Sequence, residues 1–557
     1  MSLGRHDLAH ALRGLGRLNR RPRANFAKPS GRRPNILLIL TDQERHPSLL
    51  PQGLNLPHRT DLMTGAMRFS NLQNVTALCS MARGVIYSGQ HYQHTGVSEN
   101  VPIPMSHDLS PSVPTLGTLM QDAGYETAYF GKWHLSKEPW LNANNPAHMQ
   151  ALFARYGFEY SDQPSEVEGV QAGYKHDGQT SAAAARFLHA RRKPDRPWFA
   201  AVNFVNPHDI MFTQTTPRQD ETFIYNPMLG ERILPPPADP LYADDLGHDL
   251  PSAFGTQGDH DKPPAHDMFR RVIDNVLGRI PLEDREAWRQ HQNTYFNCLR
   301  DVDRRIGEVM TALKDTGEAD NTIVVYTTDH GDLGGSHGLR EKGNSIYRES
   351  ASLPLFIRHP DIRQGGDRAA LASQIDLVPT LLSLAGVSAG ELATQAPMLR
   401  GHDLSAAMGT DRSLGASGRA GTYYQWDSRM YATDAGPGMI AQALGQKGLK
   451  RALGILKMRQ AVVTAPTRDG LRGAFDGRFK FARYFHPRDR ARPETHEALI
   501  QSFDLELYDT LADPDERLNL ARDPARREDL LRMNALTNRL ITEEIGPTDR
   551  PPFGMFS

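Results

Sequence analysis

Apolar residues in this chain come in short unbroken runs, each stopped by a polar cluster and separated from the next by a stretch of helical period. The first run, residues 36–40 in NILLILTDQER, has no polar position to turn toward water. It predicts a strand buried on both faces of a parallel sheet. YETAYFGKWHL, WFAAVNFVNPHD and NTIVVYTTDHGD repeat the pattern, their apolar or β-branched runs ending abruptly in Lys, His, Asn or Asp. Between the runs, 113–123, 178–190 and 286–314 read as helices. This alternation predicts an α/β fold: a doubly wound, mostly parallel sheet flanked by helices, with right-handed crossovers. Functional groups in such sheets gather beyond the carboxyl ends of the strands, so the polar clusters are expected at one edge.

Two segments break the alternation. Residues 209–267 are rich in Pro, Asp, Gly and His with little periodicity, and they follow one of the polar strand ends directly. A long irregular insertion so placed reads as a lid. Composition shifts again near 401–421, after which RQAVVTAPTRDG, GRFKFARYF and DLELYDTLADPDE read as short antiparallel strands, closed by a helix over 528–544. The expected organisation is a basic N-terminal arm (1–34), a catalytic domain (35–405) carrying the insertion, and a smaller C-terminal α+β subdomain (406–557) containing an antiparallel sheet. In the arm, Arg20-Arg21 is followed by Pro22, Arg23 and Asn25 rather than by an apolar stretch, a poor fit to an export signal. It reads instead as an amphipathic arm that packs on the body or on a sister subunit.

Charge and cysteine content narrow the setting. Lys and Arg number 64 against 65 Asp and Glu, which leaves no global basic field for nucleic acid or an anionic membrane. No apolar run is long enough to suggest a membrane span. Two cysteines in 557 residues exclude a disulfide framework and fit a reducing, cytoplasmic setting. The arm and the insertion are poor as independent structures, so a homo-oligomer is expected.

The chemistry then has to come from local clusters. Asp42-Gln43 and Asp329-His330 end two of the expected strands and offer two carboxylates, an amide oxygen and an imidazole. That donor set suits a hard or borderline divalent cation such as Ca²⁺, Mg²⁺ or Mn²⁺, although an Asp at a strand end is also a common turn or cap residue. If a helix begins near Cys79, then Cys79 and Arg83 share one face a turn apart, with the thiol at the positive end of the helix dipole. Cys298 lies inside a helical pattern and reads as a small core residue. Lys132 and His134 in GKWHL, His208 after Pro207, and Lys342 shortly after Asp329-His330 add cations and proton carriers. Metal ligands, a nucleophile and cations at one sheet edge describe a site for a tetrahedral oxyanion ester.

In this order, LTDQ, CSMARGVIYSG, GYETAYFGKWH, NPHD, YTTDHGDLGGSHGL with its following lysine, and ELYDTLADPDERLNLA make the chain from about 35 to 521 resemble the sulfatase family of the alkaline phosphatase superfamily. The resemblance implies an alkaline-phosphatase-like fold and metal-dependent hydrolysis of sulfate monoesters, with Ca²⁺ the first expectation for the metal. It implies that a formylglycine-generating enzyme oxidises Cys79 to formylglycine, the nucleophile, which Arg83 orients. By the same resemblance Asp42, Gln43, Asp329 and His330 hold the metal and Lys132 binds sulfate. His134 accepts the proton that releases it, and His208 and Lys342 serve the leaving oxygen. Asn100 matches a position that contacts the anion. The third residue of the cysteine motif, Pro or Ala in the family, is Met81 here. Phosphonate monoester and phosphodiester hydrolases of the superfamily share the Gln43 and His330 pattern but tend to carry neutral hydroxyl residues where Lys132 and His134 stand, so sulfate esters are favoured, with some crossover. If Cys79 stays a thiol, the alternatives are an enzyme in which it attacks directly and external water completes turnover, or a silent binding protein, which the retained charged set argues against. The organic part of the substrate, aryl, alkyl, choline-like or sugar, is not encoded in any pattern of charge or period.

Overall fold

The computed structural model describes residues 23–549 apart from 28–32, 102, 104–105, 139–144, 162–168, 191–194, 218, 220–232, 256–261, 363–364, 410–411, 434–449, 451–452, 455, 458–459, 462–463 and 490–491. Among these residues the larger sheet has eight strands: β1 (Asn35–Asp42), β2 (Met67–Gln73), β3 (Glu126–Gly131), β4 (Trp198–Pro207), β5 (Thr322–Thr328), β6 (Ser352–Leu353), β7 (Leu355–Arg358) and β8 (Gly366–Ser373). Their order is β3-β4-β1-β5-β7-β2-β6, with β8 paired to β2. Pairing is parallel across β3, β4, β1 and β5 and between β2 and β8, and antiparallel where β7 and β6 enter.

The apolar runs are explained by burial on both faces. Along β1, Ile36, Leu38 and Leu40 enter one core while Leu37 and Ile39 enter the other. The first core is covered by α1 (Cys79–Ser88), α2 (Leu116–Asp122) and, after the last strand of this sheet, Leu377–Leu384. The second lies under α3 (Ala172–His189) and α5 (Arg285–Asp315), with α4 (Pro264–Leu277) preceding α5 in the chain. The expected helix at 178–190 begins six residues earlier than its pattern suggested, at Ala172, and those at 113–123 and 286–314 lie within a few residues of expectation.

The second sheet is antiparallel, in the order β12-β11-β10-β9, from β9 (Thr422–Trp426), β10 (Gly470–Phe475), β11 (Phe479–Phe485) and β12 (Asp504–Asp509). A final helix, α6 (Arg527–Leu540), packs on it, continued by a wider turn, Ile541–Ile545. One expectation is corrected: RQAVVTAPTRDG is not a strand, because Gln460, Ala461 and Thr464 are helical and the strand begins at Gly470. A β-branched pair marks a strand only where a pleated partner lies beside it. Here the partners, β9 and β11, flank 470–475 instead.

The described part of the basic arm packs on the body: Phe26 is buried, Ala24 N–H donates to Asp122 at 3.0 Å, and Arg33 donates to the Ala123 carbonyl at 2.6 Å. Most of the arm, at 1–22 and 28–32, lies outside the described residues, as do 218, 220–232 and 256–261 of the insertion. The rest of the insertion is tied down at Ala253, whose carbonyl accepts from His337 N–H at 2.8 Å. It then runs into α4, which starts inside the expected insertion at Pro264.

Candidate active site

Register alone brings the strand ends together. In the contiguous order β3-β4-β1-β5, Thr41 is level with Thr328 and Asp42 with Pro207, while Gly131 is level with Asn203. Asp329, His330, His208, Lys132 and His134 are the residues just beyond those positions, so each chain leaves the sheet with its polar cluster at the same edge. Left-handed backbone at Gln43 and His134 marks the sharp exits from β1 and β3.

The nucleophile candidate arrives on α1. Cys79 is its first residue, and the cap position, Leu78, provides no side-chain bond to the free N–H groups. Asn100 does so from a distance, its Oδ1 accepting from Ser80 N–H at 3.0 Å. Ser80 Oγ donates to the His134 carbonyl at 2.6 Å, which ties the helix start to the end of β3. Asn100 thus meets the helix terminus that holds Cys79.

The contacts converge on two carboxylates. Cys79 Sγ lies 3.1 Å from His330 Nε2 and 3.8 Å from Asp42 Oδ1. His330 Nδ1 is 3.0 Å from the Gly331 carbonyl, so the proton sits there and Nε2 presents a lone pair to the thiol. Ligand atoms of Asp42, Cys79, Asp329 and His330 all lie within 4.8 Å of one another. Lys132 Nζ is 2.9 Å from Asp42 Oδ2. Arg83 Nη1 is 3.2 Å from Asp329 Oδ2 and 3.8 Å from Asp42 Oδ2. The rest of its guanidinium donates to the Trp133 carbonyl at 3.1 Å, to Asn203 Oδ1 at 2.8 Å and to the Lys132 carbonyl. Lys342 Nζ donates to Gln43 Oε1 at 2.6 Å, and Gln43 Nε2 donates to Asp332 and Glu341 at 2.8 and 2.9 Å. His208 and His134 are buried at the same edge, and the His208 charge reaches Asp42.

Electrostatics distinguish the two carboxylates. Burial alone would raise Asp42, but Lys132, with His208, His330 and Lys342 behind it, holds it well below the ordinary carboxylate range. Asp329 goes up, through burial and then through the Asp42 charge, despite His330 and Arg83. Burial lowers His330, keeping it a neutral imidazole with an open lone pair. Burial would also lower Arg83, yet the tyrosines and carboxylates around it keep it fully charged.

A divalent cation fits this set. Two buried carboxylates in contact range demand positive charge, and the oxygen, imidazole and sulfur atoms point at a common space. Asp42, Asp329 and His330 would hold the ion directly. Gln43 would offer Oε1, in competition with the Lys342 ammonium that now takes it.

Several partners carried no warning in the motifs. Asn203 binds both Arg83 and the Tyr87 hydroxyl, the latter at 2.6 Å. Its one signal was a polar residue interrupting the apolar run WFAAVNFV. Asp332 and Glu341, which orient the Gln43 amide, were hidden among ordinary loop polarity, as was Arg45, which pairs with Asp332 at 2.6 Å.

Residues 34–387, well over half of the chain, match the family model described as Sulfatase. The chain belongs to the sulfatase family. It is similar to an uncharacterized sulfatase, YidJ, of Escherichia coli (strain K12), with 27% identity over 387 residues, 65% of this chain and 69% of the relative. It is also similar to an N-acetylglucosamine-6-O-sulfatase of Bacteroides thetaiotaomicron, with 27% identity over 72% of this chain and 76% of the relative. Among solved structures, a phosphonate monoester hydrolase from Silicibacter pomeroyi shares the fold, with a TM-score of 0.61 and 21% identity over 92% of this chain and 96% of that one. The sulfatase is therefore a hydrolase of sulfate esters, built on the alkaline-phosphatase-like fold and carrying a cluster suited to a divalent metal.

Proposed function

We propose that this sulfatase cleaves sulfate monoesters with position 79 in the formylglycine form and with Ca²⁺ at Asp42, Gln43, Asp329 and His330. The observation that carries the reading is the place of Cys79: first residue of α1, its sulfur 3.1 Å from His330 and 3.8 Å from Asp42, with Lys132 and Arg83 on the same carboxylates. Sulfur here stands in for the oxygens of a hydrated aldehyde. Formylglycine would supply one hydroxyl to attack and a second whose deprotonation frees sulfate, and a divalent ion held by Asp42, Asp329 and His330 would supply Lewis acidity to the first hydroxyl and to the ester oxygens.

The chain's own residues do the rest. Arg83 and the Asn100-capped helix start would fix position 79 in direction, which lowers the entropy cost of attack. Lys132, itself buried and held at Asp42, gives the sulfate oxygens a fixed positive charge. By the family resemblance, His208 and Lys342 serve the leaving oxygen, and each can stabilise its charge or hand it a proton. His134 takes the proton of the second hydroxyl as the C–O bond to sulfate breaks and the aldehyde re-forms, and addition of water restores the hydrate. Formylglycine formation rests on a maturation enzyme that tolerates Met81.

The phosphorus-ester reading stays alive through the fold shared with a phosphonate monoester hydrolase. Lys132 and His134 weigh against it, because by resemblance the phosphorus-ester hydrolases tend to carry neutral hydroxyl residues at these two positions. The test is a mass spectrum of the tryptic peptide 69–83 from protein made in its native host, with and without an aldehyde-reactive probe, beside turnover of an aryl sulfate and a phosphodiester. An aldehyde at 79 with faster aryl sulfate turnover is expected. An unmodified thiol in active protein would overturn the mechanism, and faster phosphodiester turnover would overturn the substrate class.

A further inference from the structure

Behind the loop that carries Lys342 lies a cleft of about 850 Å³ lined by none of the active-site residues named above. Its walls come from four places: the end of the insertion at Phe254 and Gly255, α4, the segment 279–288, and the loop at Gly338 and Arg340. Five arginines line it, Arg270, Arg271, Arg279, Arg285 and Arg340, against two carboxylates, Asp274 and Glu283. The chain as a whole has a net charge of −1, so this excess is local.

Arg340 is the built part of the site. It is 5% exposed, and its Nε has no hydrogen-bond partner among the described residues. Its Nη2 donates to the Gly278 carbonyl and lies 3.4 Å from Asp274 Oδ1. Asp274 is its nearest counter-charge, with Glu341 and Asp332 adding to it, yet burial still pulls the guanidinium below its ordinary range. Buried charge with an unfilled donor is costly unless a second anion completes it. Further arginines surround it: Arg285 sits 5.1 Å over the Phe254 ring, the half-buried Arg270 bonds Asp267 at 2.9 Å, and Arg271 and Arg279 are exposed residues of the same lining. Phe254, Trp288, Ile280 and Leu282 make an apolar floor.

Guanidinium groups favour bidentate pairing with carboxylate, sulfate or phosphate. Because the five come from three segments around an apolar floor, one small anion can satisfy only one or two of them. We propose that this cleft is a second anion-binding site that takes a compact organic polyanion, its carbon skeleton on Phe254 and Trp288 and its oxyanion groups on Arg340 and the surrounding arginines. Consecutive residues of one loop separate the two sites: Arg340 faces the cleft, while Glu341 and Lys342 hold Gln43.

The test is isothermal titration of the full-length protein with inositol hexasulfate, with citrate and with inorganic sulfate. Wild-type and R271E/R279E/R285E proteins would be compared at low and high salt, with melting temperature and aryl sulfate turnover as controls. Binding of the hexasulfate that weakens with salt and falls at least tenfold in the triple variant is expected, with both controls unchanged. Tight citrate binding with the same loss would support the site and assign it to carboxylates. R340M tests the buried member: tenfold weaker binding at unchanged turnover supports its role. The proposal is overturned if wild type binds neither organic probe, if the triple variant binds as wild type does, or if inorganic sulfate binds as tightly as the hexasulfate. None of these outcomes depends on the state of Cys79, so they stand apart from the sulfatase mechanism.

Discussion

Replacing Arg83 by methionine isolates the contribution of one buried cation. The guanidinium is fully buried, as are both carboxylates it faces. Its loss does not strand every partner. Asn203 Oδ1 keeps the Tyr87 hydroxyl, and the Lys132 carbonyl keeps the Tyr129 hydroxyl. Asp329 Oδ2 loses its 3.2 Å partner, however, and the Trp133 carbonyl loses its 3.1 Å donor. Breaking a buried pair costs about 3–5 kcal/mol and orphaning a buried carbonyl about 1–3 kcal/mol, so Arg83→Met should lose about 4–8 kcal/mol. Against a total of about 5–15 kcal/mol this is near the limit of folding. Arg83→Lys keeps a charge but cannot reach Asp329 and the Trp133 carbonyl together, so it should lie between wild type and Arg83→Met. The assay is urea unfolding of metal-stripped protein, followed by tryptophan fluorescence and circular dichroism. An Arg83→Met protein within about 1 kcal/mol of wild type would refute the idea that this pair holds the site together.

Two further substitutions probe the frame around the site. Gly131 ends β3 at a φ of +90°, and an added Cβ would meet the Asn203 carbonyl oxygen at 1.8 Å. Gly131→Ala should cost about 2–6 kcal/mol by the same unfolding assay, backbone strain plus overpacking, and a loss under about 1 kcal/mol would contradict the rigid strand end. Glu99, bonded to Ser428 Oγ and Asn100 N–H, is pushed up from 4.5 to about 7, chiefly by burial. A raised carboxyl contributes stability that is complete below about pH 4.5 and lost as pH rises through about 7. Its contribution over that window is about 3 kcal/mol, so Glu99→Gln should flatten the decline in unfolding free energy between pH 5 and pH 8. Parallel wild-type and variant curves over that range would exclude the assignment.

The strands that the hydrophobic pattern revealed are those whose both faces meet core. Residues 36–40 read clearly because alternate side chains enter opposite cores and none faces water. β2 and β8, in contrast, carry Arg68, Ser70, Asp367 and Arg368 and pair beyond β7, away from the central strands, so their half-exposed faces look like loop. β9 was missed and β10 misplaced for a related reason: in an antiparallel sheet packed on one side, strand identity comes from the partner as much as from the run itself.

The residue types and the strand-end positions of Asp42, Lys132, His208 and Asp329 were local properties, legible because an apolar run has to stop somewhere and the stop is visible. That these ends share one edge followed from the parallel run of the strands, whose carboxyl ends all leave the sheet on the same side. Which carboxylate meets which cation was decided only by strand order and register, which place Thr41 level with Thr328 and Gly131 level with Asn203, so that Lys132 reaches Asp42 and Arg83 reaches Asp329. The clamp of Asp332 and Glu341 on Gln43, and the meeting of Arg340 with the arginines of 270–285 in one cleft, belong to tertiary structure alone. Hydrophobic period records which side of an element meets the core, but charge pairing depends on distances between elements, and no local pattern encodes those.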